Sequence, residues 1–231
     1  MATFTALGGI AKTEPKSNDI RRQIVDATRK RNPRTIYIPA DGGEEFEHCE
    51  FFKQKYSSHG CKIEFLTLLR DRPSLTQMKK LLESADLIFI SGGNTLRMMR
   101  MWKRFGVDRE LIKAAKRNIV IAGVSAGAIS MFEYGHSDSR SFSGKPDWKY
   151  IRVKGLGLLP GTFCPHVLGE NRLEKFAKMM AKHGGLGYGL NDGTGLMVHN
   201  GNISVIGDRK GAFCVTGRGG QATIEPLIAP K

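Results

Sequence analysis

Apolar positions in the first half of the chain fall into short runs separated by segments of helical pattern. Phe4 to Leu7, Thr35 to Ile38, Lys62 to Leu68, Asp86 to Ile90 and Asn118 to Ala122 read as strands. Asn18 to Lys30, Glu44 to His59, Ser74 to about Ser84 and the segments reaching about Lys116 read as helices. Ser17 or Asn18 is the expected N-cap of the first helix, Ser74 that of the third, and Gly60 suits the position just past the second. Strands alternating with helices predict an α/β fold, with a mostly parallel sheet covered by helices on both faces. In such a sheet the site lies at the carboxyl ends of the strands. Three glycine-rich turns fall at those ends: Gly8-Gly9, Gly92-Gly93 and Gly123 to Gly127.

The second half has a different texture. Tyr134 to Lys149 is polar and rich in Gly and Ser, and is expected to be a long loop over the site. Glu170 to Lys182 reads as a helix. Leu186 to Leu190, Gly195 to His199 and Ile203 to Ile206 read as short strands, the last two joined by Asn200-Gly201-Asn202, a hairpin signal. No internal repeat or domain boundary is evident, so residues 1–231 are expected to form one domain.

The candidate chemistry centres on Gly123-Val124-Ser125-Ala126-Gly127, placed directly after a strand and before a helical segment. This is the G-x-S-x-G nucleophile elbow in the context it requires. Glycine at both flanks removes side chains that would collide with the neighbouring strand or helix. The same turn aims the backbone N–H of Ala126 at a developing oxyanion. Gly92-Gly93-Asn94-Thr95 follows the neighbouring strand, where Gly93 is suited to supply a second backbone N–H. No lysine follows in the Walker position, so nucleotide binding lacks support. A serine nucleophile needs a general base, and the candidates are His48, His59, His136, His166, His183 and His199.

AGVSAGAI at 122–129, SGGNT at 91–95 and CPHVLGENR at 164–172 together resemble peptidase family S51. Its members include aspartyl dipeptidase (peptidase E) and cyanophycinase, on a flavodoxin-like fold similar to class I glutamine amidotransferases. The resemblance covers about residues 4 to 210. It implies Ser125 as nucleophile after a central strand, His166 as base, and Gly93 and Ala126 as oxyanion donors. Asn94 and Arg172 are then expected at the substrate, Arg172 as the cation that suits an aspartyl side chain. Two residues compete to orient the imidazole. Asp192 stands where relatives have a similar acidic residue, and Asp138 stands where peptidase E has an aspartate. Asp192 is the favoured orienter and Asp138 the favoured loop residue at the substrate. The chain departs from peptidase E at Val124, where a bulkier aromatic is common, and in the loop around Asp138. The implied substrate is a short peptide, with N-terminal aspartate as the leading specificity and an arginine-bearing aspartyl peptide as the alternative.

An α/β-hydrolase esterase shares the elbow, but that fold orders its triad Ser, acid, His, with the last two well spread downstream. Glutamine amidotransferases need cysteine where this chain has Ser125. The net charge of +14 invites a nucleic-acid reading. The cations are dispersed, however, as in Arg29-Lys30-Arg31, Lys79-Lys80, Lys103-Arg104 and Lys116-Arg117, and no aromatic-interleaved RNA motif accompanies them. No specific nucleic-acid partner is expected, and a homodimer is left open. Cys49, Cys61, Cys164 and Cys214 are far apart with no CxxC spacing, so no zinc site or other cofactor is expected. The N-terminus lacks a basic segment followed by a long apolar one, and no apolar run is long enough to span a bilayer, so the expected location is cytoplasmic.

Overall fold

The computed structural model describes residues 1–10, 14–40 and 46–227. The first half contains β1 (Thr3–Leu7), α1 (Glu14–Asp26), β2 (Arg34–Ile38), α2 (Phe46–Ser57), β3 (Lys62–Phe65) and α3 (Leu75–Glu83). It continues with β4 (Leu87–Ile90), α4 (Thr95–Phe105), α5 (Val107–Ala114), β5 (Val120–Val124) and α6 (Ala126–Met131). The second half contains β6 (Phe132–Ser137), β7 (Ile151–Lys154), β8 (Leu159–Cys164) and α7 (Leu173–His183). It ends with β9 (Gly185–Leu190), β10 (Thr194–His199), β11 (Asn202–Gly207), β12 (Ala212–Arg218) and β13 (Gln221–Pro226).

A seven-stranded sheet has the order β11-β10-β1-β5-β4-β2-β3. Its five strands from the first half run parallel, while β10 and β11 join antiparallel, so the sheet is mixed rather than purely parallel. Every residue of β4 and of β5 is buried, as strands covered on both faces must be. On one face Leu87, Phe89, Val120 and Ala122 pack against Ile20 and Ile24 of α1 and Phe52 of α2. On the other, Ile88, Ile90 and Ile121 pack against Met78 of α3, Trp102 of α4 and Leu111 of α5. That second core runs on through Phe132, Phe163 and Tyr188 into a six-stranded sheet of order β13-β12-β9-β8-β6-β7. Helix α7 closes the far side of this sheet through Phe176 and Met180.

Local expectations hold where the signal is local. Ser74 and Gln77 form a reciprocal capping box on α3. The β10–β11 hairpin turns on Asn200 and Gly201, both at positive φ (49° and 80°), as a two-residue type I′ loop requires. Gly60 takes φ 83° just after α2, and Gly106, also left-handed, separates α4 from α5.

Two expectations fail and one is not tested. Helix α1 begins at Glu14, so Ser17 lies inside it and is buried rather than capping it. The expected start of α2 at Glu44 lies outside the described residues. Tyr134 to Lys149 is not one long loop, because residues up to Ser137 form β6 and pair with β7 and β8. Its polar, glycine-bearing sequence hides a strand whose pairing partners lie far along the chain.

Candidate active site

The order of the first sheet sets β5 between β1 and β4, so the three glycine-rich turns meet at one edge. Ser125 follows β5 directly and takes φ 53° and ψ −113°, a backbone conformation that L residues rarely adopt. The turn is held by a hydrogen bond from Ser125 N–H to the Leu7 carbonyl at the end of β1, 3.0 Å. Glycine is required here: a Cβ on Gly127 would run into the Ile90 carbonyl oxygen at the end of β4, and one on Gly123 would sit 2.5 Å from the Gly127 backbone.

His166 lies just past β8 and also takes positive φ, 53°. Its Nε2 is 3.0 Å from Ser125 Oγ, and its Nδ1 is 2.5 Å from Asp192 Oδ1. With Nδ1–H donating to Asp192, Nε2 is free to accept the serine hydroxyl, which is the tautomer a general base needs. The His166 and Asp192 side chains are 21% and 27% exposed, partly shielded yet reachable by solvent. Asp192 is itself held in register, because Gly9 forms a parallel bridge with it and the Gly9 carbonyl accepts from Gly193 N–H at 3.1 Å. A side chain at Gly9 would strike both the Asp192 carboxylate and the His166 ring.

Gly93 sits at the end of the β4 turn with φ 154°, and Ala126 begins α6 and is buried. A Cβ on Gly92 would come within 3.3 Å of Ser125 Cβ, which brings this turn against the nucleophile.

Three residues expected at the site are engaged in contacts with the protein itself. Asp138 makes its ion pair with Arg172, 2.9 Å, while Asp192 takes the imidazole. Arg172 is enclosed. Its side chain is 1% exposed and its guanidinium is bonded to Asp138 and to Glu170. Burial works against its charge, and the two carboxylates more than offset this, leaving its pKa raised. A guanidinium this desolvated must have anionic partners, and so it ties the loop after β6 to the loop after β8. Asn94 is the N-cap of α4: its Oδ1 accepts from Arg97 N–H at 3.0 Å and its Nδ2 donates to the Ser139 carbonyl at 3.0 Å. Both ends of its amide are in structural use.

Asn191 was not foreseen. Its Oδ1 accepts from the N–H groups of Leu168 (3.2 Å) and Gly169 (3.0 Å), which fastens the loop carrying His166 beside the residue that precedes Asp192. The motif GLNDGTG contained the signal, since an amide next to the orienting acid has short reach to neighbouring backbone. Of the other histidines, His136 is buried within β6, and burial, with Arg172 and Lys175 nearby, pushes it down to about 3. His199 bonds Thr3 at 2.8 Å and His59 bonds Asn18 at 3.0 Å, both away from Ser125.

Among the described residues no helix is long and apolar enough to cross a membrane, and no group of three or more His, Cys, Asp or Glu side chains is arranged to hold a metal ion. The family model of peptidase family S51 matches residues 4–206. The chain is 30% identical over 208 residues to the Uncharacterized peptidase YgaJ of Bacillus subtilis, covering 89% of this chain and 86% of that protein. It is 26% identical over 220 residues to the Probable alpha-aspartyl dipeptidase of Drosophila melanogaster, covering 90% and 86% respectively. A crystal structure of a peptidase from an acI-B1 Actinobacterium shares the fold with a TM-score of 0.70 at 19% identity, over 97% of this chain and 94% of that one. The elbow, its histidine and a family match over nearly the whole chain agree: this protein belongs to peptidase family S51 and is a serine peptidase.

Proposed function

We propose that Ser125, His166 and Asp192 act as a catalytic triad that hydrolyses short peptides, releasing the N-terminal residue of dipeptides that begin with aspartate. The observation that carries this reading is the unbroken chain of contacts from Ser125 Oγ through the His166 ring to Asp192. Ser125 Oγ attacks the scissile carbonyl carbon while its proton passes to His166 Nε2. The backbone N–H groups of Gly93 and Ala126 receive the oxyanion. His166 then protonates the leaving amine nitrogen as the C–N bond breaks, leaving an acyl-serine. A water molecule attacks that ester as His166 takes its proton, and His166 then passes that proton to Ser125 Oγ as the acid is released. Asp192 stays ionised throughout and steadies the imidazolium.

The aspartyl preference is supported by likeness to the Drosophila alpha-aspartyl dipeptidase. It does not need Arg172, because Arg97 is exposed at the start of α4 and borders the turn formed by Gly92 and Gly93. A cytoplasmic location belongs to the same reading, in keeping with four cysteines that form no disulfide.

A fluorophosphonate should label Ser125 in wild type and leave Ser125→Ala unlabelled. Cleavage of Asp-Ala should exceed that of Ala-Ala and Arg-Ala in kcat/KM. Failure of labelling together with undiminished hydrolysis in Ser125→Ala would remove the triad. Equal rates on the three dipeptides would remove the aspartyl specificity alone.

A further inference from the structure

A cavity of about 610 Å³ opens beside the nucleophile on the α1–α2 face of the first sheet. It is walled by aromatic rings: Tyr37, Phe52 and Phe89 pack on one another with centroids 4.2 to 6.2 Å apart, and Tyr56 stacks on Phe52 at 4.2 Å. Phe51, 53% exposed, stands at the wall on the solvent side. A cluster of this kind ordinarily fills its own space, whereas here it borders a volume large enough for a side chain.

Three positions connect the cavity to the reacting groups. Gly92 lines it, and a Cβ there would lie 3.3 Å from that of Ser125. Gly9 lines it and abuts both His166 and Asp192. Val124, the residue before the nucleophile, lines it and is buried. Two glycines therefore replace side chains where the cavity meets the triad, and a small aliphatic residue stands where an aromatic one would occupy the space.

The lining also excludes some occupants. Among the described residues no carboxylate lines the cavity, so a lysine or arginine side chain would be desolvated there without a partner. Three cations line it: Arg21 is buried near Tyr56 and has an interaction of its own, while Lys55 and Arg97 are not fully buried and can keep their heads toward water.

We propose that this cavity is the specificity pocket of the site and receives a large apolar side chain, of the leucine, methionine or phenylalanine class, from the residue that follows the scissile bond. The inference rests on the reading of Ser125 as nucleophile, which puts the reacting carbonyl against Gly92. It gives the substrate class as short peptides with a bulky apolar residue at the cleaved bond, and it assigns Val124 and Phe51 as specificity-determining residues.

The test compares kcat/KM for Asp-Ala, Asp-Leu, Asp-Phe, Leu-Ala, Phe-Ala and Ala-Ala in wild type, Val124→Phe and Phe51→Ala. Wild type should favour a bulky apolar residue over alanine after aspartate by about tenfold or more. Val124→Phe, which fills the cavity, should bring that ratio close to one, and Phe51→Ala, at an exposed position that tolerates change, should reduce it about threefold. Calorimetric binding of the same dipeptides to Ser125→Ala reads the cavity without hydrolysis. If bulky dipeptides bind Ser125→Ala more tightly while wild type hydrolyses none of the panel, the pocket stands and the catalytic reading falls. If hydrolysis proceeds with a ratio near one, or with a ratio that both variants leave unchanged, the pocket falls and the catalytic reading stands. The absence of both graded binding and graded hydrolysis would overturn the proposal outright.

Discussion

The surroundings of His166 and of His136 differ although the two strands that carry them, β8 and β6, are parallel neighbours. His136 is 1% exposed within β6. Its ring stacks on Tyr150 at 4.3 Å and its Nδ1 lies 3.4 Å from Cys164 Sγ. Burial, and then the charges of Arg172 and Lys175, push it down to about 3, so it stays neutral. The Cys164 thiol beside it is pushed up by burial and stays neutral too. His166 has left its strand, and both of its ring nitrogens are engaged, one by a hydroxyl and the other by a carboxylate. An imidazole works as a base when a carboxylate can share the proton it takes and water can reach it. A histidine packed among aromatic rings and cations has neither.

The largest effect separates the two residues directly. His166→Ala should lower kcat by about 10⁴-fold. His136→Phe, which conserves ring packing, should stay within about threefold of wild type. Steady-state kinetics on the best dipeptide checks this, and equal losses in the two variants would erase the distinction.

A second comparison separates the two aspartates. Asp192→Asn should cost about 10²-fold or more in kcat with little change in stability, because an amide cannot steady the imidazolium. Asp138→Ala should do the reverse. It takes one of two carboxylates from the buried Arg172 and should lower unfolding free energy by about 1–2 kcal/mol while kcat changes little. Denaturant melts alongside kinetics would show whether the two roles have been exchanged.

The neutral state of His136 has a pH consequence. Its folded pKa of about 3 lies below the ordinary 6.5, so between these values the unfolded chain takes up a proton that the folded chain refuses. Stability contributed by this site falls as pH falls through that window, by at most about 1.4 kcal/mol per pH unit, and is constant above it. The groups packed around the ring are Tyr150, Phe176, Cys164, Arg172 and Lys175, of which the two cations strengthen the effect. His136→Phe should therefore lose about 2 kcal/mol less than wild type between about pH 6 and pH 4. Parallel acid limbs in the two proteins would mean that His136 is not the group responsible.

The smallest expected effect is at Asn191. Asn191→Ala releases the loop that carries His166 and should lower kcat by about tenfold through misplacement of the ring. Asn191→Asp keeps an acceptor for the two N–H groups and should recover most of the loss.

The sequence by itself was sufficient for features whose physics is local. The elbow was legible at Ser125 because only glycine fits at Gly123 and Gly127, and a tight turn leaves its mark on adjacent residues. The α3 cap and the Asn200-Gly201 turn were legible for the same reason. Likeness to family S51 supplied His166 and offered two aspartates for its partner, with Asp192 favoured.

Tertiary structure made the choices that depend on distant pairings. Asp192 reaches His166 because β9 and β10 bring their connecting turn back against Gly9 at the end of β1. Asp138 is drawn to Arg172 because β6 and β8 are neighbours in a second sheet, whose short, glycine-bearing strands carry little periodic signal. The burial of Arg172 and the aromatic cavity beside Gly92 arise only when segments far apart in the chain are packed together. Charge and side-chain type are properties of a residue; desolvation and empty volume belong to the packed assembly, so those features came from the fold.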